Sequence, residues 1–190
     1  MNQQKAQAKC PPAALGCLVD LVSAAFAATS GLGAKVDVDD IEQMVDTLHV
    51  LRPAFADFEF FDGWLHLLRR DWASAETVYR GLIERSVCVP ASKGMLLRCL
   101  KSSKTFGWQD EARKLADEYR DHEVGRLARV YLAGDDLQEA YAAARRTGHF
   151  VAPESARELD QGAAVSHVKA DAPAAPTTGD MLLSMQYIRI

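Results

Sequence analysis

The residues of this chain that could do chemistry stand apart from one another. His122-Glu123 opens like the zinc-binding HExxH helix, but Arg126 occupies the position of the second histidine. Two imidazoles on one helical face, which zinc requires, are therefore missing. His49, His66, His122, His149 and His167 show no ligand spacing among themselves, and no metal or other cofactor is expected. Ser30 to Lys35, "SGLGAK", is glycine-rich and ends in lysine, yet it departs from GxxxxGK[ST] and follows a helical pattern where a phosphate loop follows a strand. It reads as a linker. No GxSxG occurs, and Cys10, Cys17, Cys88 and Cys99 form no CxxC. Cys88 and Cys99 also lack a nearby histidine to activate them. The cysteines read as small core hydrophobes in a reducing compartment. Asp135-Asp136 reads as a helix cap and not as an acid/base pair. No catalytic set emerges, and the chain is not expected to be an enzyme.

The elements that hold these residues are helical. In 190 residues, 48% are hydrophobic and 25% charged, with a net charge of −4 and basic residues spread along the chain. That fits one soluble domain with a core and argues against nucleic-acid binding, which concentrates positive charge. No apolar run reaches the ~20 residues of a membrane-spanning helix. Lys5 and Lys9 ahead of an alanine-rich stretch, with Ala25-Phe26-Ala27 as an A-x-A site, resemble a secretory signal. Asp20 interrupts that stretch, however, and Leu15, Leu18, Val19, Val22 and Phe26 share one helical face. The amphipathic core helix is the preferred reading.

Apolar residues recur at i, i+3, i+4, i+7 in Ile41/Met44/Val45/Leu48, Phe61/Trp64/Leu65/Leu68 and Ala75/Val78/Tyr79/Leu82, then in Ala112/Leu115/Ala116/Tyr119, Val124/Leu127/Ala128/Tyr131 and Leu137/Ala140/Tyr141/Ala144. A further helix is expected over Ser92–Ser102. Asp39 with Glu42, and Asp136 with Glu139, have capping-box spacing, and Asp71 is placed to cap a helix beginning at Trp72. Pro53 and Pro90 should end the helices before them. About seven or eight helices result: a flexible N-terminus over 1–12, a helical domain over 13–160 and a disordered tail over 161–190. The tail ends in the apolar decamer Met181–Ile190, which either docks on the parent domain or offers a peptide to a partner.

Gly63 lies eight residues before Asp71-Trp72, with Ala75 and Tyr79 following. Ala128 lies eight before Asp136-Leu137, with Tyr131 between and Ala140 and Ala144 after. "GWQDEARKLA" with Ala112 falls between the two. This pattern resembles the tetratricopeptide (TPR) repeat, a helix-turn-helix of 34 residues. The resemblance implies that small residues such as Gly63 and Ala75, or Ala128 and Ala140, meet where paired helices cross. It also implies that an aromatic such as Tyr79 seals the far end and that Trp72 plugs the turn. Gly63 would then be worth its ~1 kcal/mol helix penalty. Arg69 and Arg70 close their helix, where cations suit its negative end. The spacing is irregular, since Ala75 to Ala112 is 37 residues and Ala112 to Ala140 is 28.

"FDGWLHLLRRDWASAETVYRGLIER", Phe61 to Arg85, resembles more narrowly the small TPR-like proteins of bacterial Hrp-type type III secretion systems, the Hrp-B-one/HrpK family. The likeness extends less distinctly from Val38 to Ala144 and excludes the tail. It implies a non-enzymatic accessory of a secretion apparatus that binds other proteins, either type III secretion subunits or secreted substrates. A cytosolic chaperone for a needle or translocator subunit is the alternative. Counting Gly63, Gly94 and Ala128 as equivalent, the partner-facing positions are Phe60, Trp64, Leu67, Met95, Arg98 and Arg129, with Trp64 open to a core reading as well. Self-association through Trp64 or the decamer is the further partner considered. The expected location is cytoplasmic and near the apparatus, with the periplasm as the alternative.

Overall fold

The computed structural model describes residues 11–29 and 36–159. The linker Ser30–Lys35 and the tail from 161 onward lie outside the described residues, as does most of the expected N-terminal arm. The described residues form helices joined by turns, with no strand among them, as the periodicity requires. They divide into two compact units between Ser92 and Lys93, where the sequence suggested one domain.

In the first unit, α1 (Pro12–Ala28) opens with a proline that suits a helix start and buries Leu15, Val19, Val22 and Phe26 along one stripe while Asp20 is exposed. The A-x-A stretch thus lies inside a core helix. The second helix, α2 (Val38–Leu51), is capped by Asp37, whose carboxylate accepts from the Asp39 amide at 3.1 Å. The cap therefore falls two residues before the expected Asp39. Asp39 and Glu42 instead face Arg69, which donates to both oxygens of Glu42 at 2.7 and 2.6 Å. That hydrogen-bonded guanidinium holds the Glu42 carboxyl below its ordinary range. The helix stops ahead of Pro53.

A 3-10 turn (Ala56–Phe58) leads into α3 (Glu59–Leu68), and Asp71 caps α4 (Trp72–Glu84) by accepting from the Ser74 amide at 3.2 Å. α3 and α4 pack on each other as a helix-turn-helix pair. A Cβ on Gly63 would lie 2.7 Å from Cζ of Tyr79, so the glycine makes room for that ring. Ala75 is buried nearby in sequence, and the Tyr79 hydroxyl donates to the Phe60 carbonyl at 3.3 Å.

The second unit holds α5 (Ala91–Ser102, from Lys93 onward), α6 (Trp108–Glu118) and α7 (Glu123–Thr147). α4 ends at Glu84, and Pro90 precedes α5 instead of terminating α4. Leu97, Leu100, Trp108, Ala112, Leu115, Val124 and Ala128 make the core, with Tyr131 packed on it. The Lys101 ammonium lies 4.0 Å from the centroid of the Tyr131 ring and 5.6 Å from that of Trp108. Burial pushes its pKa down, and Asp135 opposes the shift.

The main departure is α7. The two helices expected around a cap at Asp136 are one continuous helix of 25 residues. Its Gly134-Asp135-Asp136 segment contains no proline, and a single interior glycine costs only ~1 kcal/mol relative to alanine. Asp136 is an interior residue whose carboxylate accepts from Ser155 Oγ at 2.6 Å. Ala128 and Ala140 thus lie along one helix and do not meet across a pair.

Candidate functional site

Four of the six expected partner-facing side chains are core. Phe60, Trp64 and Leu67 are buried in the first unit and Met95 is buried in the second. The physical reason for Trp64 is α1, which supplies Phe26 as a stacking partner at 4.5 Å between ring centroids, while Phe60 meets the indole edge-on at 6.3 Å. Arg98 and Arg129 are half-buried, with no ion-pair partner among the described residues. The Arg98 charge acts on Tyr131, partly offsetting the burial that raises the phenol's pKa.

Three histidines and three cysteines among the described residues have defined surroundings. His49 meets Asp62 at 3.0 Å and His66 meets Asp71 at 3.3 Å. His122 caps α7, its Nδ1 accepting from the Val124 amide at 3.2 Å. Among the described residues, no group of three metal-ligating side chains is placed to hold an ion. Cys17 is exposed, whereas Cys88 lies beside Asp57 with its thiol pushed up to about 12, chiefly by burial. Cys99 is buried. A maleimide at pH 8 should therefore label Cys17 at least about tenfold faster than Cys88 or Cys99, because the thiolate is the reacting form and access limits the rest. Peptide mass spectrometry reads the three rates, and equal rates at Cys17 and Cys88 would contradict the described burial.

The structure exposes a different face. At 25 residues α7 is about 38 Å long, whereas α6, its packing partner, is 11 residues and about 16 Å. A partner that short cannot cover the longer helix. The fully buried residues of α7 are Val124, Gly125, Ala128 and Ala133, and none follows. Beyond them the stripe Leu137/Ala140/Tyr141/Ala144 continues with half-buried or exposed side chains, and Tyr141 is 60% exposed. Its ring stacks on the exposed Phe150 at 4.9 Å, and Val151 is exposed beside Phe150 in sequence.

The chain then turns back, pinned by the Ser155–Asp136 hydrogen bond, with residues 154–159 helical. A shallow groove of about 630 Å³ results, lined by Asp136, Glu139, Ala140, Ala142, Ala143, Arg146 and Pro153. Small alanines form its floor. Along α7 its lining runs from the acids Asp136 and Glu139 to Arg146, with Arg145 next to it in sequence but outside the lining. Glu139, Arg145 and Arg146 have no ion-pair partner among the described residues. The arginines suit the negative end of α7, but the mid-helix acids gain nothing from the dipole. The stripe itself is legible in sequence. The turn assigned at Asp136 hid it by giving it a packing partner.

No helix among the described residues is long and apolar enough to cross a membrane. A family model described as "Bacterial type III secretion protein (HrpB1_HrpK)" matches residues 5–137. No curated protein and no solved structure matches the chain.

Proposed function

The chain belongs to the HrpB1_HrpK family of bacterial type III secretion proteins, and from that premise we propose that it works by binding another protein of the secretion system and not by catalysis. The observation that carries this reading is the incompletely covered apolar stripe in the second half of α7, with half-buried Leu137, exposed Tyr141 and the exposed Phe150 stacked on it, beside an alanine-lined groove. An amphipathic helix from a partner fits such a face, since its bulky apolar residues settle against small ones and its charges meet those at the groove ends. Burying Tyr141 and Leu137 would contribute about 1.5–3 kcal/mol each. Half-buried Arg98 and Arg129 are the two sequence-derived positions that retain a charge to offer a partner carboxylate.

The test is Leu137→Glu with Tyr141→Glu in the full chain. Both residues lie beyond the fully buried part of α7, Tyr141 exposed and Leu137 half-buried, so far-UV circular dichroism should stay close to wild type and the unfolding midpoint should fall only slightly. Capture of type III secretion proteins from the native host should fall about tenfold or more. Wild-type capture by this variant would remove the α7 face from the proposal. The same experiment separates two roles. A structural accessory carries its partner into envelope fractions, whereas a chaperone forms a soluble one-to-one complex with a small secreted subunit.

A further inference from the structure

Along α7, Glu139, Ala142, Ala143 and Arg146 fall at i, i+3, i+4 and i+7, and all four line the shallow groove. They make one stripe, with an acid at its start, two alanines in its middle and a base at its end. At 3.6 residues per turn this flank of the helix faces away from Leu137 and Tyr141. We infer that a second copy of this chain occupies the stripe, its α7 running antiparallel about a two-fold axis between Ala142 and Ala143. The pairing uses neither Leu137 nor Tyr141, so it goes beyond the partner reading and stands independently of it.

The charges of the stripe ask for a partner outside their own helix. Elsewhere Arg80 pairs with Glu76 and Arg113 with Asp110 along one helix, while Arg69 pairs with Glu42 and Arg85 with Glu59 across two. On the α7 stripe the first route is closed. Ala142 and Ala143 hold the positions three and four residues from both Glu139 and Arg146. On its other side Glu139 has Asp135 and Asp136 at those spacings, and like charges there repel. Glu139 and Arg146 are both exposed, with no ion-pair partner among the described residues.

Charge order then selects the partner and its direction. Antiparallel pairing sets Glu139 against Arg146 of the second copy, and Arg146 against its Glu139, so one arrangement pairs all four charges. Parallel pairing sets like against like at both ends. Asp136, held by its Ser155 bond one turn before Glu139, adds negative charge at the same end. The alanines set the distance. Helices that meet on small side chains approach to about 8 Å, the close end of helix packing, so the longer glutamate and arginine reach across. A foreign helix would need this charge order in reverse, whereas a two-fold copy supplies it by identity. Such a contact is isologous and closes at two chains.

Sedimentation equilibrium of the full chain tests the pairing, under reducing conditions because Cys17 is exposed. Wild type should pass from monomer to dimer between low and high micromolar protein, and raising salt from about 0.1 to about 1 M should weaken the dimer severalfold. Arg146→Glu or Glu139→Arg alone should weaken it about tenfold or more. An equimolar mixture of those two variants should recover it, because each carries the charge that the other needs. Leu137→Glu with Tyr141→Glu should dimerise as wild type does. A wild-type chain that stays monomeric overturns the pairing, and so does a mixture that fails to recover. Loss of the dimer in the Leu137/Tyr141 variant overturns it too, and moves the self-contact to the apolar stripe. Capture of secretion proteins by that variant decides the partner reading separately.

Discussion

Gly125→Ala is expected to destabilise the second unit by about 3 kcal/mol. On helix propensity alone the substitution should stabilise by ~1 kcal/mol, because alanine loses less backbone entropy. Packing reverses the sign. A Cβ on Gly125 would sit 1.9 Å from the Tyr119 carbonyl oxygen and 2.6 Å from its carbon. Those atoms are backbone, and they are tethered: the Tyr119 amide donates to Leu115 at 3.0 Å, and its carbonyl accepts from the His122 amide at 3.0 Å. Relief would require the end of α6 to separate from the first turn of α7. Gly134→Ala is the matched control on the same helix. Its nearest neighbour is the mobile end of Lys101 at 4.0 Å, so stability should rise by up to about 1 kcal/mol. Urea unfolding of the two variants measures the contrast, and a Gly125→Ala midpoint within about 0.5 kcal/mol of wild type would sink the described α6–α7 junction.

That glycine shows where sequence reading reached its limit. The apolar stripes of α1, α3, α4 and α6 were legible because each is a local period, and the Asp71 cap because its carboxylate bonds an amide three residues on. Gly125 carries no such local mark. Its need comes from the Tyr119 carbonyl, which folding sets against it. At Gly63 the TPR pattern names Ala75 as a facing residue, and the atoms nearest to a Cβ there are those of the Tyr79 ring, a neighbour that the pattern places only at the far end of the helix. Asp136 and Glu139 misled for a simpler reason. Two acids three apart describe a capping box and equally the exposed flank of a continuous helix. Only packing tells them apart, and α6 is too short to settle it from the inside.

Trp64→Ala carries the other large effect. The indole is 4% exposed, so its removal should cost about 3–5 kcal/mol. Phe26 stacks on it at 4.5 Å and also on Phe61 at 5.7 Å, while Phe60 bridges edge-on to both Trp64 and Tyr79. Loss of Trp64 opens a cavity shared by α1 and α3, and the circular dichroism of the variant should change well below the wild-type midpoint. Trp64→Phe should cost much less. It keeps a ring against Phe26 and removes an indole N–H that has no hydrogen-bond partner among the described residues, a group whose burial costs roughly 1–3 kcal/mol. A double-mutant cycle of Trp64→Ala with Phe26→Ala should return a coupling of about 0.5–1.5 kcal/mol from the stack. If Trp64→Ala instead unfolded at the wild-type urea midpoint while losing its partner, the tryptophan would be a recognition residue after all, and the partner would lie against α3. With Trp64 in the core, a loss of binding in that variant reports unfolding. Recognition is then read only from substitutions outside the core, such as Leu137→Glu with Tyr141→Glu.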